Sequence, residues 1–178
     1  MLLVKICGIT HQEDVLILLK YPVWALGFIQ VEKSPRYVNP ETAKKLISML
    51  PTRIQSVGVL QDHSFQEVEK IRDYCGFSMV QLHGREDPGF CTRLEKGVIR
   101  AFRLGKEWDF NQMRDYQSVV DYFLFDTFVP GKSEGTGQTF PWELLRGTEH
   151  IACPFLIDGG LSPDNISNLS QHHHSFWD

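Results

Sequence analysis

Val4-Lys5-Ile6-Cys7-Gly8-Ile9-Thr10 is an apolar run that ends on a thiol and breaks at a glycine. Far along the chain, Tyr122-Phe123-Leu124-Phe125-Asp126 repeats the pattern, ending on a carboxylate before a glycine-bearing loop that reaches Gly137. Both read as strands whose last residue can do chemistry. In α/β folds the carboxyl ends of parallel strands hold the reactive groups, because the strand fixes the residue and the following loop leaves it open to a ligand. A thiol and a carboxylate at such an edge point to a base and an acid.

Between these two runs, short apolar segments alternate with amphipathic ones. Strands are expected near Leu3–Cys7, Val23–Ile29, Ile54–Leu60, Ser78–Leu82, Val98–Arg103, Val119–Phe125 and Ile151–Ile157. Helical patterns fall at Glu13–Lys20, Pro40–Leu50, Ser64–Cys75, Asp87–Lys96, Phe110–Tyr116, Pro141–Gly147 and Pro163–Ser170. The strand starts recur at the length of one βα unit. Several strands are apolar at nearly every residue, as when both faces are buried. Helix starts are marked by a Thr10/Glu13 capping box and by Asn39 and Ser162 as N-caps before Pro40 and Pro163.

Seven βα units fit a doubly wound sheet or a barrel. No G-x-G-x-x-G follows the first strand, which weakens a dinucleotide fold. Polar residues end many different strands, which is the habit of a barrel. A closed barrel of this kind has eight strands, and this sequence reads as seven; 171–178 (Gln171-His172-His173-His174-Ser175-Phe176-Trp177-Asp178) forms no strand pattern. The expectation is an α/β chain, 1–178, forming one TIM-type (β/α) barrel domain with seven of eight units, truncated at its C-terminal end and closing on an atypical tail at 171–178.

At 178 residues, 42% hydrophobic and 22% charged, the composition is that of an ordinary globular domain. The net charge of −4 argues against nucleic acid as a partner. No apolar run is long enough to span a bilayer, and Met1-Leu2-Leu3-Val4-Lys5 lacks the basic region of a secretory signal. Cys7, Cys75, Cys91 and Cys153 form no C-x-x-C pair, so reduced thiols in the cytoplasm are expected. Three consecutive histidines, His172–His174, cannot all face one ion in a regular element, and no metal site is expected.

An average cysteine is a buried, inert hydrophobe, but Cys7 precedes a turn into a helix, where a thiolate is stabilised. A base poised near the working pH is what proton abstraction beside a carbonyl or imine requires. Asp126 either caps the residues that follow it or, desolvated by Phe123, Phe125 and Phe128, serves as a protonated general acid. Arg36, in Ser34-Pro35-Arg36-Tyr37-Val38, is either a solvated loop residue or a fork for a carboxylate. Asp158-Gly159-Gly160-Leu161-Ser162-Pro163 is either a plain tight turn or an anion site built from the Gly159 and Gly160 backbone. Gly131-Lys132-Ser133 and Gly135-Thr136-Gly137 fail the phosphate-loop spacing and read as a lid or substrate loop.

Taken together, Val4–Thr10, Gly27-Phe28, Ser34–Val38, Val57-Gly58-Val59, Val80-Gln81-Leu82-His83-Gly84, Ala101-Phe102-Arg103, Asp126 with Gly135-Thr136-Gly137, and Gly159–Asn165 resemble the phosphoribosylanthranilate isomerases of tryptophan biosynthesis. The resemblance implies an eight-unit barrel and an Amadori rearrangement of phosphoribosylanthranilate to 1-(2-carboxyphenylamino)-1-deoxyribulose 5-phosphate, with no metal or cofactor. By matching position, Cys7 would be the general base, Asp126 the general acid, Arg36 the holder of the anthranilate carboxylate, and Gly159 and Gly160 part of the phosphate cradle. The sequence departs from the family pattern in lacking a last βα unit with its Ser/Gly loop, in Asp158 where a small residue is usual, in Glu134, and in Leu60-Gln61-Asp62. Two open barrel edges invite self-association. The alternatives are a weakened or inactive remnant of that enzyme and a phosphate-ligand binding module.

Overall fold

The computed structural model describes residues 3–105, 108–127 and 142–167. The expected lid at 131–137, Glu134, Phe128 and the tail at 171–178 lie outside them. Seven strands appear in chain order: β1 (Lys5–Cys7), β2 (Ala25–Ile29), β3 (Gln55–Leu60), β4 (Met79–Leu82), β5 (Val98–Leu104), β6 (Tyr122–Thr127) and β7 (Phe155–Ile157). Each pairs in parallel with its sequence neighbours, giving one sheet of order β1 to β7. Among the described residues β1 and β7 each have a neighbour on one side only. The helices are α1 (Gln12–Leu18), α2 (Pro40–Ile47), α3 (Phe65–Cys75) and α4 (Pro88–Arg93), with 3-10 helices at Phe110–Tyr116 and Trp142–His150. No helix of the described residues is long and apolar enough to cross a membrane.

Alternation along the strands sorts side chains to two faces. Ala25, Val57, Met79, Ile99, Ala101 and Leu124 form one layer, joined by Leu156, inside the curl of the sheet. Their strand neighbours face the helices, as Phe28 does with Val15, Ala43 and Phe77, and Phe123 and Phe125 with Met113 and Leu145. All five residues of β2 are buried, as a strand covered on both faces must be.

Local chemistry sets most helix starts. Asn39 accepts from Thr42 N at 2.8 Å ahead of Pro40. The capping box expected at Thr10 is absent: α1 starts at Gln12, with His11 in the cap position and no side-chain cap bond. The cause lies upstream, where the amides of Gly8 and Ile9 both donate to Gly27 O at 2.9 and 3.0 Å and hold the chain extended past Thr10. The reciprocal box forms instead between Ser64 and Glu67 at the head of α3. Ser162 acts through its main chain, its amide donating to Asn165 Oδ1 at 2.8 Å while its carbonyl accepts from Ile166 N at 3.0 Å.

The patterns at Phe110–Tyr116 and Pro141–Gly147 form 3-10 rather than α-helices, the second as Trp142–His150. Phe110, Met113 and Tyr116 recur at a spacing of three and all join the same apolar cluster, which suits three residues per turn. The seventh strand is shorter than its apolar run because Pro154 has no amide for the ladder.

A buried ion pair braces the loops after β3 and β4 on the outer face of the sheet. Arg100 donates to the carbonyls of Leu82, Ala101 and Gly84 at 2.9 Å each and lies 3.5 Å from Glu86 Oε2. Glu86 also accepts from the amides of Asp62 and Gly84, and Asp62 in turn accepts from Arg85 N. The polar strand end Leu60-Gln61-Asp62 therefore ends in a knot of hydrogen bonds, with Asp62 itself at φ 56°. Losing one partner of such a pair leaves a buried charge uncompensated, at a cost of about 3–5 kcal/mol.

Candidate active site

Parallel strands with a common inward face deliver their final inward residues to one rim. Cys7 ends β1, where it pairs with Gly27 of β2. Gln81 in β4 and His83 directly after it continue the inward alternation of Met79, and Arg103 and Asp126 stand opposite one another in the β5–β6 register. Asp158 follows β7 with the parity of the inward Leu156.

On the β1 side, Gly27 makes room for the thiol. A Cβ at position 27 would fall 2.7 Å from Cys7 Sγ, closer than real Cβ contacts come. Arg36, in the loop after β2, reaches back to donate Nη1 to Cys7 O at 2.9 Å. It is exposed overall, so its anchoring comes from this bond rather than from burial. The helix expected from Glu13 begins at Gln12, and the Arg36 guanidinium is a positive group in contact with the end of β1.

On the β6 side, Phe123 and Phe125 do not enclose Asp126 as expected. Phe123 and Phe125 belong to the outer cluster, and Leu124 marks the inward face that Asp126 shares. Its actual surroundings are polar. Oδ1 accepts from Thr127 N at 2.7 Å, so the capping role is present. Oδ2 lies 3.3 Å from His83 Nε2, both side chains being mostly buried. That approach is within ion-pair range but off the line of a hydrogen bond, since Nε2 has no bonded partner. Gln81 Nε2 lies 3.4 Å from His83 Nδ1; with the amide donating there, the proton of a neutral ring sits on Nε2, facing Asp126.

Gly159 and Gly160 follow β7 with φ of +93° and +66°, a left-handed pair that side chains resist. Gly159 is also pressed against the acid: a Cβ on it would lie 2.5 Å from Thr127 Oγ1 and 3.0 Å from Asp126 Oδ1. The structure thus gathers two groups on one rim, Cys7 with Gly27 and Arg36, and Asp126 with His83, Thr127 and Gly159.

The sequence alone assigns no role to Gln81, His83 or Arg103. Arg103 Nε and Gln81 Oε1 are buried without a hydrogen-bond partner, as expected of groups lining a ligand cavity. Their signal was present as polar residues every second position, Gln81 then His83, in a strand otherwise buried on both faces.

The chain matches the family model described as N-(5'-phosphoribosyl)anthranilate (PRA) isomerase over residues 4–177. It is 38% identical to the N-(5'-phosphoribosyl)anthranilate isomerase of Crocosphaera subtropica, covering 92% of this chain and 80% of that protein. It is 40% identical to the enzyme of the same name from a Geobacter species, covering 92% of this chain and 79% of that protein. Among solved structures, phosphoribosyl anthranilate isomerase from Thermotoga maritima superposes with a TM-score of 0.86 at 32% identity, over 96% of this chain and 83% of that one. Another solved phosphoribosyl anthranilate isomerase, in complex with reduced 1-(o-carboxyphenylamino)-1-deoxyribulose 5-phosphate, superposes with a TM-score of 0.83 at 29% identity, over 97% of this chain and 82% of that one.

The four thiols differ in what they can do. Burial pushes Cys75, Cys91 and Cys153 each up to about 11, so all three stay protonated at neutral pH, whereas Cys7 is partly exposed on the rim. A thiol-alkylating reagent near pH 8 should modify the folded protein once, at Cys7, and the other three only after unfolding. Peptide mass mapping reads this directly; equal modification of the four in the folded state would contradict it.

Proposed function

We propose that this chain, which belongs to the N-(5'-phosphoribosyl)anthranilate isomerase family of tryptophan biosynthesis, works with Cys7 as general base and Asp126 as general acid. The observation that supports this is the delivery of the Cys7 thiol and the Asp126 carboxyl to the same rim from the first and sixth strands of the sheet order. The substrate is N-(5'-phosphoribosyl)anthranilate. Asp126 protonates the furanose ring oxygen as its bond to the anomeric carbon breaks, opening the ring to an iminium ion. The Cys7 thiolate removes the proton from the adjacent ribose carbon, and the resulting enolamine tautomerises to the ketose. His83 stands 3.3 Å from the acid. Arg36 holds the anthranilate carboxylate beside the base to which it is bonded, and the Gly159-Gly160 turn receives the 5'-phosphate with its main-chain amides.

Cys7→Ala and Asp126→Asn should each lower turnover by roughly two to four orders of magnitude, because each removes one proton-transfer group. The loss of substrate fluorescence with freshly made phosphoribosylanthranilate measures it. Near-parental turnover in either variant would remove that residue from the mechanism.

Lysine cannot reproduce a bidentate fork on a carboxylate. Arg36→Lys should therefore weaken inhibition by anthranilate while leaving inhibition by ribose 5-phosphate nearly unchanged. Equal losses for the two would place Arg36 on the phosphate or in the support of β1.

The unpaired thiols suit a reducing cytoplasm. The sheet edges also favour self-association. Beside β1 the side chains of Leu3, Leu16, Ile17 and Tyr21 are exposed, and after β7 so are Leu161 and Ile166, an arrangement that invites a second chain. Analytical ultracentrifugation should find a concentration-dependent shift to dimers or larger species; a monomer across the full range would exclude this.

A further inference from the structure

Asp158 stands where the chain leaves β7 for the Gly159-Gly160 turn. Its amide donates to Phe125 O at 2.8 Å, so it is still in the ladder with β6. Leu156 lies in the inner layer with Leu124, while Ile157 packs outward in the cluster of Phe125. Alternation therefore turns Asp158 inward, on the side that Asp126 occupies on the neighbouring strand. Its carboxylate then does something a small side chain could not: Oδ1 accepts the hydrogen bond of Gly159 N at 2.8 Å.

That amide belongs to the turn whose two residues are both left-handed. Such a turn exposes main-chain N–H groups to an incoming anion. Here the first of them already faces an anion, supplied by the chain itself. A phosphate entering the turn meets one donor fewer and a like charge at close range.

We infer that Asp158 is a specificity-determining residue that occupies the Gly159 amide as a built-in competitor of the substrate's 5'-phosphate. This rests on the reading of Gly159-Gly160 as the phosphate cradle. In the free protein the carboxylate satisfies the turn. On binding, it must rotate away from Gly159 N, so the phosphate contributes less to affinity than the cradle would otherwise give. A charge-assisted hydrogen bond of this kind corresponds to roughly a tenfold to hundredfold change in binding.

The test is calorimetric titration of the full chain with inorganic phosphate, with anthranilate as the ligand that carries no phosphate. Asp158→Asn keeps the shape and an acceptor oxygen but removes the charge. Asp158→Ser removes both the charge and the reach to Gly159 N. Both variants should bind phosphate more tightly than the parent, Asp158→Ser by about tenfold or more, with anthranilate affinity unchanged. Gly160→Ala, run in parallel, separates the two ideas by straining the turn itself. If Gly160→Ala weakens phosphate binding and neither Asp158 variant strengthens it, the cradle stands and the competitor role is overturned. If Gly160→Ala leaves phosphate affinity untouched, the cradle reading fails and takes this inference with it.

Discussion

Everything at the rim depends on in-register parallel pairing. A strand alternates its side chains between two faces, so a shift of one residue would exchange every inward group for an outward one. The register that sets Cys7 beside Gly27 and Arg103 beside Asp126 is held by the inner apolar layer of Ala25, Val57, Met79, Ile99, Ala101 and Leu124. That layer sits one step below the polar residues. It fixes which side chains face the cavity and keeps water from beneath them.

The electrostatics of the rim follow from the same geometry. Asp126 and Asp158 lie on adjacent strands with the same parity, and each accepts a local main-chain hydrogen bond, from Thr127 N and Gly159 N respectively. His83 approaches Asp126 from β4, and Arg103 stands across from it on β5. Arg36 is the positive group in contact with the opposite side of the rim, fixed to the main chain of Cys7. The acid is therefore surrounded by donors, whereas the base is accompanied by a cation and a gap.

Much of this was legible in the sequence. Apolar runs ending in a reactive residue and a glycine located β1 and β6, and the recurrence of such runs gave the parallel order. The family model over residues 4–177 and the superposition on solved isomerases bear out the family and the barrel-type fold. What could not be read were features set by contacts distant in sequence. The missing Thr10 cap depends on Gly27 O, contributed by another strand. The aromatic neighbours of Asp126 in sequence are not its neighbours in space, because residues along a strand alternate faces and Phe123 and Phe125 point away from it. His83 and Arg103 gain meaning only from the strands beside them, and Asp158 stands out by sequence as an odd residue whose hydrogen bond to Gly159 follows from the turn after β7.

The close approach of Gly27 to Cys7 Sγ has an evolutionary consequence. Position 27 contributes no functional group, yet its identity is set by a residue on a different strand. Any side chain at 27 intrudes first on the Cys7 sulfur at 2.7 Å and then on Cα and Cβ of residue 7, each at 3.2 Å. The last two contacts do not depend on the thiol. A lineage that abandoned the base would therefore still be held to glycine at position 27, and the glycine would outlast the chemistry it accommodates.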